Sequence, residues 1–196
     1  MKTSYAAMLA LAVPVVLSAQ QPPAGQQANP ITASFRMRIT ALERNVAQAF
    51  DSIPGDKFGY KPTPAQLTIG YIAQHLANDN YLFCDAFGDV KSTRPEEDTA
   101  TPDSIKANWP KDKLVTKLKE SFTFCQNAFN QLNDASLAGQ TSVTFGGNTR
   151  TVVRASMVLG HALDLADHYS QLANYMRLNN ILPPTALPRP RPSGGD

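Results

Sequence analysis

Histidine is scarce in this chain of 196 residues: there are three, beside two cysteines and one tryptophan. Charge is scarce too, at 17% of residues with a formal net charge of +2, and no run of lysine and arginine forms a basic patch. Binding to a polyanion needs such a patch, so nucleic acid is not an expected partner. Cys84 and Cys125 belong to no Cys-x-x-Cys pair and do not make a zinc site by themselves. There is no internal repeat, and the length suits one domain of ordinary hydrophobic content. Any imidazole used for proton transfer near neutral pH or for metal ligation comes from His75, His161 or His168.

The chain opens on "MKTSYAAMLALAVPVVLSAQQ", one early lysine, an apolar stretch from Ala6 to Leu17 and then small residues. That is the pattern of a secretory signal peptide over residues 1–19, and the apolar stretch is too short to span a bilayer. The expected location is the bacterial periplasm or the medium, with no membrane attachment after cleavage. An oxidising compartment favours a Cys84–Cys125 disulfide. Closing a loop of roughly forty residues is worth about 3–4 kcal/mol in the chain-entropy estimate. A Pro-rich linker over 20–30 and a Pro-rich tail over 186–196 have nothing to bury and read as disordered.

Between them, over 31–185, the hydrophobic period is helical. Phe35, Ile39, Leu42, Val46 and Phe50 form one stripe that stops before Pro54. A second helix is predicted from Thr68, a good N-cap, to about Phe87, and a third carries Leu114, Leu118, Phe122, Cys125 and Phe129. The polar stretch 88–110 reads as a long connection, with at most a short turn near Ser104–Trp109. Val143 and Phe145 alternate with polar residues ahead of Gly146-Gly147-Asn148, the signature of a small hairpin. The last helix runs from about Val152 to Asn179. The expected fold is all-α, a four-helix bundle with a long crossover and a small β-hairpin before the last helix.

On that last helix Val158, His161, Leu165, His168, Leu172 and Tyr175 step by three and four, so both histidines take core positions. Asp164 lies one turn before His168 on the same side. A carboxylate there costs several kcal/mol unless paired or coordinated. Two readings compensate for it: a buried hydrogen-bonded network that serves packing, or a metal site completed by His75 from the second helix. His161 and His168 stand about 10.5 Å apart along the axis, too far to share one ion.

"HYSQLANYMRLNNILPP" resembles the last-helix signature of the DinB/YfiT-like family, and "LTIGYIAQHLANDNYLFC" is similar to its second-helix motif. The resemblance extends weakly over most of residues 31–185, and the cysteine pair looks like that of exported members. It implies a four-helix bundle carrying a divalent metal, zinc or nickel, on three histidines. His75 and His168 match the first and last of these. The middle position falls on Asp164, which keeps zinc possible and admits harder ions such as manganese. His161 is the alternative third ligand if the register shifts by a turn. Asp79, one turn after His75, is placed as a base or as a partner orienting that histidine. Some relatives are thiol-dependent transferases or isomerases, and relatives often pair, so a homodimer is expected. Two function classes follow. One is a metal-dependent hydrolase or transferase acting on a small-molecule ligand. The other is a non-catalytic exported bundle whose metal site is altered or lost.

Overall fold

The computed structural model describes residues 28–88 and 90–188. The signal peptide, most of the linker and most of the tail read from the sequence lie outside the described residues.

Four long helices form the bundle: α1 (Pro30–Ser52), α2 (Ile69–Phe87), α5 (Lys111–Asn130) and α7 (Arg154–Leu178). Between α2 and α5 lie two short helices, α3 (Glu96–Ala100) and α4 (Asp103–Lys106); α6 (Asp134–Leu137) and strands β1 (Gln140–Phe145) and β2 (Asn148–Val153) precede α7. α2 is the central element, packed against both α5 and α7, while α1 closes the bundle mainly against α7.

The first two long helices begin where a side chain takes up free N–H groups of the first turn. α1 starts at a proline, and its cap comes from far along the chain. The Asp134 carboxylate accepts from the Ile31 and Thr32 backbone N–H groups at 3.1 and 2.7 Å and from the Thr32 hydroxyl at 2.8 Å. α2 starts as its sequence predicts, with the Thr68 hydroxyl accepting from the Tyr71 N–H at 3.1 Å. Its second residue must be glycine: a Cβ on Gly70 would stand 2.2 Å from the Ala107 carbonyl oxygen. The hairpin turns on Gly146 and Gly147, both at positive φ, with Phe145 paired to Asn148. α7 ends before Asn180, in the left-handed region, and Pro183-Pro184.

The stretch 88–110 departs from the expected loop, because it folds into α3 and α4, each starting after a proline. Buried charge rather than apolar period holds it. Asp98 meets the Lys117 amino group at 3.2 Å, and Lys106 donates to Asn78 Oδ1 at 3.2 Å and meets Asp103 at 2.8 Å. Such pairs add little net stability, but they fix where the crossover lies on α2 and α5.

Candidate metal centre

The core stripe of α7 is buried as its spacing predicts: Val158, His161, Leu165, His168, Leu172 and Tyr175 all face inward. His161 and His168, two turns apart, enter different layers of the bundle, and the layers differ in kind.

The His168 layer joins α7 to α2. One ligand atom from each of His75, Asp164 and His168 lies within 4.8 Å of the other two. The His75 and His168 rings meet edge to face with centroids 4.8 Å apart, and Tyr71 stacks on His75 at 6.0 Å. His168 Nε2 stands 3.5 Å from Asp164 Oδ1, and His75 Nε2 stands 3.4 Å from Asp79 Oδ2. Side-chain exposure falls from 30% at His75 through 21% at Asp79 and 16% at Asp164 to 8% at His168. The cluster therefore opens toward solvent on the α2 side and has its floor at His168.

Electrostatics set this layer against its own charges. Burial, with Asp79 and Asp167 nearby, pushes the Asp164 carboxyl up to about 7. Burial also raises Asp79, a shift that His75 partly offsets. His168 is lowered by burial and then by the neighbouring His75. Asp164 Oδ2 and His168 Nδ1, both buried, have no hydrogen-bond partner among the described residues.

The donors present fit a divalent cation. Two donors each about 2.1 Å from a tetrahedral ion stand about 3.4 Å apart, the separation found between His168 Nε2 and Asp164 Oδ1. That separation is too long for a good hydrogen bond between them. Two imidazoles and a carboxylate make a borderline-to-hard set. A cation among them would relieve both carboxyls without protonating either histidine.

The His161 layer is closed to solvent. His161 is fully buried, ringed by Phe83, Phe87 and Phe129, and burial holds its pKa down to about 3. Its Nε2 lies 2.9 Å from Asn80 Oδ1; the Asn80 amide donates to the Ser121 hydroxyl at 2.8 Å, which donates to the Leu118 carbonyl at 2.7 Å. Read in that direction, the chain puts the histidine proton on Nε2. The Cys84–Cys125 disulfide joins α2 to α5 in this same layer. His161 is thus not the third member of the His75 cluster, and the alternative register fails because the helix turns it toward the disulfide. Asn80 and Ser121 were not visible as partners in the sequence, because Asn80 follows Asn78 and Asp79 in a polar run that reads as a solvated turn of the helix.

Comparison with known proteins follows the fold. The sequence model of the DinB superfamily matches residues 38–172, more than half of the chain. A DinB-like protein from Bacillus cereus superposes with a TM-score of 0.60 at 15% identity, covering 78% of this chain and 95% of that one. A DinB-like protein from Bacillus subtilis gives 0.53 at 14% identity, covering 75% and 92%. A mycothiol-dependent maleylpyruvate isomerase gives 0.57 at 13% identity, covering 72% of this chain, which spans 60% of the isomerase. At these identities the likeness concerns the fold alone. No curated protein matches the chain.

Proposed function

The chain belongs to the DinB superfamily, and we propose that it is an exported member that holds one divalent metal ion between α2 and α7 through His75, Asp164 and His168. The observation that carries this reading is the convergence of those three ligand atoms from two helices within 4.8 Å. Zinc or nickel suits the two imidazoles, and the carboxylate extends the range to manganese. When bound, the ion supplies Lewis acidity, which activates water or a thiol near neutral pH.

The side chains divide the remaining work by exposure. His168, deepest, and Asp164 fix the floor; His75, with Tyr71 against its ring, forms the open wall. Asp79, 3.4 Å from His75 Nε2 and raised by burial, is placed to orient that histidine or to take a proton from a small molecule entering there. We assign the chemistry to hydrolysis or group transfer. Hydrolysis is favoured over use of a free thiol cofactor because the disulfide fits an oxidising compartment, where small thiols are scarce. The same reading places the mature protein in the periplasm or the medium after removal of residues 1–19. No helix among the described residues is long and apolar enough to cross a membrane. Leu159 and Leu163, exposed on the outer side of α7, support a homodimer, for which light scattering should return twice the chain mass.

The test is the metal content of untagged protein purified without chelators. One equivalent per chain is expected, lost in His168→Ala and Asp164→Ala and kept in His161→Ala. Metal-free wild-type protein that also fails to take up zinc, nickel or manganese would overturn the assignment.

A further inference from the structure

The buried His161 layer contains a second set of metal donors. Cys84, Cys125 and His161 are each fully buried, and one donor atom from each lies within 4.8 Å of the other two. They come from three different long helices, α2, α5 and α7. His161 Nε2, the nitrogen nearest the sulfurs, is 3.9 Å from Cys125 Sγ, and Asn80 Oδ1 stands 2.9 Å from the same nitrogen. We propose that reduction of the Cys84–Cys125 disulfide converts this layer into a structural site for a thiophilic divalent ion such as zinc, ligated by two thiolates and His161, with the Asn80 carbonyl oxygen as fourth donor.

The conversion balances. A dithiol or phosphine reductant delivers two electrons, and with two protons the S–S bond becomes two thiols. The incoming ion displaces both thiol protons to solvent. The His161 proton moves from Nε2 to Nδ1, which has no partner among the described residues, and this frees the Nε2 lone pair on the sulfur side. Two thiolates cancel the charge of the ion, so the complex is neutral and no net charge is left among Phe83, Phe87 and Phe129. The imidazole is already held neutral by burial, as a ligand must be. Three donors from three helices would tie α2, α5 and α7 together, whereas the disulfide ties two.

This inference is independent of the His75 site, and a His168→Ala background keeps the two apart. Cobalt(II) is the probe, with a non-thiol phosphine as reductant and circular dichroism to follow the fold. Oxidised His168→Ala protein should bind no cobalt. The reduced protein should bind one equivalent with a thiolate-to-cobalt charge-transfer absorption. Zinc should bleach that absorption and shield both cysteines from alkylation. His161→Ala should lose the equivalent; Cys84→Ser, which keeps the imidazole, should lose the charge-transfer absorption of the two-thiolate site. A reduced, helical protein that shows no charge-transfer band, or cysteines alkylated equally fast with and without zinc, would overturn the proposal. So would a reduced protein that unfolds and does not regain helix on adding zinc.

Discussion

Replacing Asp164 by asparagine should make the metal-free protein more stable at alkaline pH while removing its response to metal. In the folded state the carboxyl is held near 7, against 3.8 for the free side chain. The group is mostly buried, at 16% exposure, so solvent screening takes little from this shift. Because the folded pKa is raised, the unfolded chain releases its proton first. The penalty is absent below about pH 4, grows as pH rises, and is complete above about pH 7. A shift of roughly three units corresponds to about 4 kcal/mol. Asparagine keeps the shape and cannot ionise. Any cost of its unpaired amide is the same at every pH, so the pH-dependent part of the difference isolates the carboxylate. Urea denaturation of both proteins in chelator, at pH 4.5 and 8.5, should show the variant gaining on the wild type by about 3 kcal/mol between the two, since about 1 kcal/mol of the penalty is already present at pH 4.5. Zinc in excess should then raise the wild-type midpoint at pH 8 and leave the variant unmoved. Parallel stability curves for the two proteins would refute the argument, since they would mean that Asp164 carries no buried-charge penalty.

Glu43, 4% exposed, is pushed from 4.5 to about 7 by burial, so Glu43→Gln should stabilise the protein by about 3 kcal/mol at pH 8.5 and by almost nothing at pH 4, measured the same way. Gly70→Ala should lower the thermal midpoint sharply, at a cost of about 3 kcal/mol, because the new methyl meets a backbone oxygen that side-chain rotation cannot clear. The double variant Cys84→Ser, Cys125→Ser, compared with the oxidised wild type in metal-free buffer, should lose about 4 kcal/mol, the closure entropy of a loop spanning 41 residues.

The long helices were legible because each carries a helical period of core positions, mostly apolar and interrupted on α7 by the histidines, and the hairpin because Gly-Gly-Asn follows an alternating strand. What escaped was structure held by partners distant in sequence. α3 and α4 have five and four residues, too few for any period to show, and they stand because Asp98 and Lys106 are buried against α2 and α5. The start of α1 shows no side-chain cap of its own; its cap, Asp134, lies about a hundred residues on. In the site, His168 and Asp164 stood out as polar residues on an apolar stripe. That His75 could meet them followed from the way bundles build sites on facing helices, and the family likeness added the matching positions; spacing on one helix does not say which face of another it will meet. His161 occupies the same stripe and looked equivalent. Its layer was decided by Asn80, Ser121 and the disulfide, none of which lies within one helical turn of it.

The difference between the two histidine layers bears on whether the polar stripe serves packing or chemistry. A network that serves only packing should satisfy its members, because each orphaned buried polar atom costs about 1–3 kcal/mol. The His161 layer nearly does so: its bonds run from the imidazole through Asn80 and Ser121 to the Leu118 carbonyl, leaving only Nδ1 of the ring open. The His168 layer does not. Its histidine–carboxylate contacts, at 3.4 and 3.5 Å, are longer than good hydrogen bonds, and Asp164 Oδ2 and His168 Nδ1 stay unpartnered. Both of its carboxyls are pushed toward the neutral form, and His75 offsets only part of the shift, at Asp79. The same fold thus builds a closed polar chain in one layer and, two turns along the same helix, leaves donors spaced apart around a common point near solvent. A cation at that point would make use of the spacing; hydrogen bonding alone leaves it unexplained.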